Sequence, residues 1–167
     1  MRVLILASLG ALAIVSSAMA EPLILEGRGK IARVSAAQIA AMPHRQIQVN
    51  QHGREHLFSG VPLSALLAQV GVSLSQPLSG KDLASAVRVT ARDGYQVVLS
   101  LSELDPATRS GDVLVADGDH GKPLAEAEGP LRLVVADDLR PARSARQITR
   151  IEVLELATSI KAAGAHP

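Results

Sequence analysis

Alternation of apolar and polar positions predicts short β-strands along much of the chain. Residues 23–27 form a mainly apolar run that ends at a glycine, and residues 46–50 and 86–91 alternate with a period of two. Residues 95–101 alternate again directly after the turn dipeptide Asp93-Gly94. The two later segments therefore have the pattern of a β-hairpin.

Further strands are predicted in both halves of the chain. Residues 55–58 follow a polar turn and are expected to return beside the preceding strand, and residues 112–116 and 148–156 also have strand patterns. Residues 131–136 are a continuous apolar run, which is typical of a strand at the centre of a sheet. Residues 117–123 are polar and contain glycine, so they predict a turn.

Two short helices are predicted between the strands. Ser35 precedes the first helix, over residues 36–42, and can cap its N-terminus, while Pro43 ends it. The second helix has one apolar face, formed by Leu63, Leu66, Leu67 and Val70. Many short strands with few helices predict an α+β fold with mixed, mostly antiparallel sheets.

The N-terminus has the pattern of a secretory signal peptide. Arg2 is followed by an apolar run over residues 3–15, and Ala18-Met19-Ala20 has the small residues of a cleavage site. The run is shorter than the roughly 20 residues that span a membrane, although a retained anchor is the alternative. We expect cleavage after Ala20 and a periplasmic location.

Composition limits the domain count and the function. The 167 residues are enough for one domain and a tail, so we expect a signal peptide at 1–20, a single domain at 21–156 and a flexible tail at 157–167. No cysteine is present, which excludes disulfides and thiolate metal sites. A formal charge of +1 and two aromatic residues argue against nucleic-acid binding.

Two motifs have the residue types of metal sites in an unsuitable context. Residues 52–56 read His-x-x-Glu-His, a zinc-peptidase signature that requires a helix to bring its side chains together. Gly53 lies inside the motif and both flanks predict strands, so we expect a solvated turn. Residues 117–128 resemble a calcium loop, but Lys122 replaces the glycine of its sharp turn. We therefore expect no bound metal.

Charged side chains are concentrated in a loop over residues 137–147, which is expected to join two neighbouring core strands. Guanidinium groups bind phosphate or carboxylate through two parallel hydrogen bonds, and carboxylates accept from the N–H groups of a heterocycle. The candidate ligand-binding residues are Asp137, Asp138, Arg140, Arg143, Ser144 and Arg146. Their spacing equally allows a solvated loop in which arginines and aspartates pair with each other.

Four segments follow one another in an order known from one protein family. Residues 57–67 contain Gly-Val-Pro-Leu and then Leu-Leu, and residues 91–95 contain Asp-Gly-Tyr. Residues 116–135 contain a Gly-Pro-Leu-Arg run, and residues 143–153 contain Arg-Ser-x-Arg and then Ile-Glu-Val. Together these segments resemble the molybdopterin-binding domain of the sulfite oxidase family, over about residues 45–156.

The resemblance implies the same mixed α+β fold and a position for the site. Arg143 and Arg146 match an Arg…Lys pair that lies near the phosphate and pterin of the family's cofactor. Asp137 and Asp138 would suit the amino and ring N–H groups of a pterin, and Ser144 could add one hydrogen bond. Many small family members have tryptophan at this serine, so a stacking surface is missing here.

The departures from the family decide the expected function. The family's enzymes bind molybdenum through one cysteine in the region corresponding to residues 49–53, and this chain has none. Some stand-alone members are implicated in binding pterins and work with membrane signalling proteins. We therefore expect a non-catalytic periplasmic module that binds a pterin or related anionic heterocycle, holds no covalently bound cofactor, and signals to a membrane or redox partner. The alternatives are a molybdopterin-dependent oxidoreductase or its subunit, and a structural domain with a degenerate pocket.

Overall fold

The computed structural model describes residues 21–156, so the predicted signal peptide and the predicted tail lie outside the described residues. The strands are β1 (Leu23–Gly27), β2 (Lys30–Val34), β3 (Arg45–Gln51), β4 (Arg54–Pro62), β5 (Ser85–Ala91), β6 (Gln96–Ser100), β7 (Val113–Asp119), β8 (Lys122–Pro123), β9 (Arg132–Val135) and β10 (Ile148–Glu155). The α-helices are α1 (Ala36–Ala40) and α2 (Leu63–Ala68). Short 3₁₀-helices cover Gly80–Ala84, Leu101–Leu104 and Pro141–Arg143.

The first sheet has the strand order β2-β1-β10-β5-β6. β10 is its central strand and runs parallel to β1, with Leu25 paired to Ile151. The other pairs of this sheet are antiparallel. The second sheet has the order β3-β4-β7, and β8 and β9 pair with different stretches of β7. All its pairs are antiparallel, so the predicted mixed, mostly antiparallel α+β architecture is confirmed.

The position of β9 differs from the prediction. The run expected to be a central strand contains β9, which pairs only with β7 and lies at a sheet edge. β10 belongs to the other sheet, so β9 and β10 are not paired. The open edge of β9 is nevertheless covered by the chain that follows it. Leu133 N–H donates to the Ala145 carbonyl at 2.8 Å, and Ile148 N–H donates to the Leu131 carbonyl at 3.0 Å. This cover explains why all four residues of an edge strand are buried.

Helix α2 packs its apolar face into the main core, which contains residues from both sheets. The side chains of Leu63, Leu66, Leu67 and Val70 are completely buried, as their spacing predicts. Burying each leucine contributes about 1.5–3 kcal/mol relative to exposure. Gly71 follows with a φ of +83°, a conformation that glycine adopts without strain. No helix within residues 21–156 has the length and apolar character needed to cross a membrane.

Close approach of β4 and β7 requires the glycine of the Gly-Val-Pro-Leu segment. The register between the two strands shifts between Ser59 and Gly60. A Cβ at Gly60 would lie 2.3 Å from the carbonyl oxygen of Val115, which is far inside van der Waals contact. The glycine therefore has a packing role between β4 and β7, two residues before the end of β4.

The two motifs that resemble metal-binding sequences lie on hairpins. Residues 52–56 span the β3–β4 turn, where His52 has a φ of +54°, and this agrees with the expected turn. Residues 117–123 were expected to be a turn, but β7 continues to Asp119 and pairs with β8, so only His120 and Gly121 form the turn. Among the residues that the structure describes, no group of three or more histidines or carboxylates is arranged to hold a metal ion.

Candidate functional site

The loop over residues 137–147 and the β5–β6 hairpin turn enclose a hollow of about 390 Å³. The hydroxyl of Tyr95 donates to the Ala142 carbonyl at 2.8 Å and joins the turn to the loop. The hollow is lined by Ala91, Asp93, Tyr95, Ala127, Pro141, Ala142, Ser144, Ala145, Arg146 and Gln147. Two segments singled out in the sequence, 91–95 and 143–153, therefore meet at one place.

Arg146 places a half-exposed cation beside this hollow. Its side chain is 55% exposed, and its Nε lies 3.6 Å from the Glu128 carboxylate, beyond hydrogen-bonding distance. Asp93 supplies a carboxylate on the opposite segment, and its Oδ1 accepts from the Tyr95 amide at 2.9 Å. The hollow thus offers hydrogen-bond donors, a carboxylate acceptor and an aromatic ring to a planar heterocycle.

Arg143 is engaged within the protein. Its Nε and Nη2 donate to Asp138 at 2.9 and 2.6 Å, and its Nη1 donates to Glu103 at 2.8 Å. The hydrogen bonds to Asp138 raise the pKa of Arg143 although burial opposes them. Burial raises the pKa of Glu103, but hydrogen bonds from Arg143 and the Ser100 amide outweigh it, so the pKa is lowered overall. Arg143 and Asp138 therefore stabilise the loop.

The remaining predicted residues take different positions. Ser144 is buried, and its Oγ accepts from the Val135 amide at 3.3 Å and lies 3.4 Å from the Gln51 amide nitrogen. Asp137 is largely exposed and lies 3.6 Å from Arg109. Arg140 is exposed and lines a second hollow. The structure thus brings Ser144 and Arg146 to the first hollow and places Arg140 beside the other.

A buried polar cluster next to Ser144 was missed by the sequence analysis. The guanidinium of Arg132 is 2% exposed and lies 4.7 Å above the Phe58 ring. Its Nη2 donates to Gln51 Oε1 at 3.0 Å and its Nη1 to Glu128 at 2.6 Å. Burial lowers the pKa of Arg132, although the Glu128 carboxylate opposes this effect.

A signal for this cluster was present in the sequence. Residues 47, 49 and 51 share one face of a strand, so Gln51 falls on the same face as Ile47 and Val49. Arg132 interrupts an apolar run, and a charged residue there needs buried partners.

The residues of this region do not fit a thiolate-bound molybdenum centre. The resemblance places the family's cysteine within residues 49–53, where the inward-facing polar side chain is Gln51. Its carbonyl oxygen is used by Arg132, and its nitrogen faces Ser144. The side-chain groups at this place are an amide, a hydroxyl and a guanidinium cation, and the sequence contains no cysteine. These groups are poor replacements for the soft thiolate ligand of molybdenum.

Comparison with known proteins identifies the family. Residues 30–159 match the family described as the oxidoreductase molybdopterin binding domain. The chain belongs to this family, which confirms the resemblance inferred from the sequence. No curated protein gives a significant match to the chain.

A solved structure shares the fold. The sulfane dehydrogenase SoxCD from Paracoccus pantotrophus superposes with a TM-score of 0.65 and 16% sequence identity. The match covers 82% of this chain and 39% of that chain, so the present chain spans less than half of the other protein's length. At this identity the likeness establishes the architecture.

Proposed function

We propose that this chain is a ligand-binding member of its family that holds a pterin or related anionic heterocycle without a thiolate-bound metal. The observation that carries the proposal is the convergence of Arg146, Asp93 and Tyr95 on one hollow. Its volume of about 390 Å³ lies in the usual range for small-molecule sites. Location in the periplasm and transmission to a membrane or redox partner are further parts of the proposal, motivated by the predicted signal peptide and the resemblance.

Each group in the hollow has a distinct role toward such a ligand. Arg146 donates to a carbonyl or anionic edge, and Asp93 accepts from amino and ring N–H groups, the donor face of a pterin. Tyr95 contributes ring surface and is fixed by its hydrogen bond to Ala142. The Arg143–Asp138 pair holds the loop in place. Binding and orientation by these residues require no chemical step.

Titration of dihydroneopterin into the purified protein tests the proposal. A charge-assisted hydrogen bond contributes about 1.5–3 kcal/mol, so Arg146→Ala should weaken binding by roughly 10- to 100-fold. Arg45→Ala is a matched control, because Arg45 is exposed, lies on β3 of the second sheet and pairs with Asp112 outside the hollow. Equal affinity of the two variants would remove the hollow from the site. Absence of binding to the wild type would favour the structural domain with a degenerate pocket.

Family membership also supports a second candidate, a molybdopterin-dependent oxidoreductase or its subunit. Elemental analysis of protein purified from cells supplied with molybdate separates the two. Under the main proposal molybdenum stays far below one atom per chain, because no thiolate is present to bind it. A stoichiometric content would support the oxidoreductase instead.

A further inference from the structure

A second hollow of about 590 Å³ adjoins the first and is lined by His52, Leu139, Arg140, Pro141 and Ala142. Pro141 and Ala142 line both hollows, so the 3₁₀-helix Pro141–Arg143 is their common wall. We propose that the second hollow binds an anionic side chain, a phosphate or carboxylate, of the ligand whose ring system occupies the first. This inference rests on the proposed function and specifies the class of ligand.

The charge distribution of the loop carries the proposal. Arg140 forms no ion pair with any residue in the described range 21–156, whereas the neighbouring carboxylates are turned to other arginines. Asp138 binds Arg143 through both oxygens, and Asp137 lies toward Arg109. His52 adds a second nitrogen-bearing side chain from the β3–β4 turn. No carboxylate lines this hollow, so its polar groups are suited to an anion.

The two hollows differ in the chemistry they offer. The first contains both Arg146 and Asp93, which suits the mixed donor and acceptor edge of a heterocycle. The second combines Arg140 with the fully exposed Leu139 and with Pro141. Apolar side chains beside a guanidinium suit a linker of methylene or aryl groups that ends in an anion. A ring with an anionic tail therefore matches the pair of hollows better than a ring alone.

Three ligands and two variants test this inference. Dihydroneopterin has an uncharged side chain, dihydroneopterin monophosphate carries a phosphate on the same side chain, and dihydrofolate carries two carboxylates on an aryl linker. Affinities are measured by calorimetry for the wild type, Arg140→Ala and the control Arg45→Ala. Circular dichroism checks that each variant is folded.

We expect at least one anionic ligand to bind the wild type about 10-fold or more tightly than dihydroneopterin. Arg140→Ala should abolish this advantage and leave the affinity for dihydroneopterin unchanged, while Arg45→Ala should preserve both. The anionic ligand that loses more affinity in Arg140→Ala shows whether the second hollow prefers a phosphate or a carboxylate. The advantage should also decrease with added salt, because Arg140 is exposed.

Two failures are distinguishable. In the first case, dihydroneopterin binds and its affinity depends on Arg146, but the anionic ligands bind no more tightly, or their higher affinity persists in Arg140→Ala. The inference about the second hollow is then wrong and the proposed function stands. If none of the three ligands binds the wild type, both the proposed function and this inference are overturned.

Discussion

Arg132 on β9 hydrogen-bonds Gln51 on β3 at 3.0 Å, although β4 and β7 lie between these two strands. The guanidinium reaches this distance by lying over the ring of Phe58, a residue of β4. The Arg132 side chain thus connects two edge strands of the second sheet, β3 and β9, on the face away from the main core. The connection leaves a buried cation dependent on a single amide oxygen and the Glu128 carboxylate.

Removing that amide oxygen should destabilise the fold. Gln51→Met keeps a similar shape but leaves Nη2 of Arg132 without its acceptor, and loss of a buried hydrogen bond to a charged group costs about 1.5–3 kcal/mol. The control is Gln48→Met, because Gln48 lies on the exposed face of the same strand. Urea unfolding followed by circular dichroism measures both. Equal unfolding midpoints for the two variants would show that the hydrogen bond does not contribute.

Arg143→Ala should reduce stability more than ligand affinity. The variant loses the hydrogen bonds to Asp138 and Glu103, and because Arg143 is one-third exposed we expect a loss of about 1 kcal/mol. Binding of dihydroneopterin should change by less than about 3-fold, since no direct contact is removed. Thermal melting and calorimetry measure the two quantities. A variant with unchanged melting and strongly weakened binding would instead place Arg143 in contact with the ligand.

Asp105 should make the fold sensitive to acid. Its carboxylate accepts from the amides of Leu78 and Ala107, and these hydrogen bonds lower its pKa despite burial. A lowered pKa in the folded state means that the contribution to stability is present above the ordinary carboxyl value, near pH 4, and is lost as the pH falls through the folded-state value.

Asp105→Asn should therefore lower stability at pH 7 and reduce the further loss between about pH 5 and pH 2. Asp112→Asn serves as the control, because Asp112 forms an exposed ion pair with Arg45. Urea midpoints over this pH range measure the difference. The expectation is wrong if Asp105→Asn and the wild type lose stability in parallel.

Export should remove the first twenty residues. The small residues Ala18 and Ala20 motivate cleavage before Glu21, so N-terminal sequencing of periplasmic protein should begin with Glu-Pro-Leu. Ala18→Asp places a charge in the cleavage signal and should leave the precursor uncleaved. Full-length wild-type protein in the membrane fraction would contradict the prediction and support a retained anchor.

Local patterns were sufficient to predict the elements whose burial follows a simple period. The face of α2 formed by Leu63, Leu66 and Leu67 and the β5–β6 hairpin around Asp93-Gly94 are both in place. Strand β2 was missed because it lies at a sheet edge with Ile31 largely exposed, so its sequence lacks a clear buried face.

Pairing between distant segments explains why the site could be predicted only in part. The sequence locates the charged loop but not Glu103, which is forty residues from Arg143 and determines whether that arginine is available. Arg140 has no ion pair within residues 21–156, and Arg146 has a 3.6 Å contact with Glu128 that is longer than a hydrogen bond. Which arginine in a charged loop can meet a ligand thus depends on contacts that spacing does not reveal.

The central position of β10 in the first sheet has a consequence for synthesis. β10 is the last strand of the described chain, yet it lies between β1, the first strand, and β5. A growing chain cannot complete this sheet until Ile148 and the residues after it have left the ribosome. The first sheet therefore forms late in the synthesis of residues 21–156, and β1 and β5 lack their shared neighbour until β10 is available.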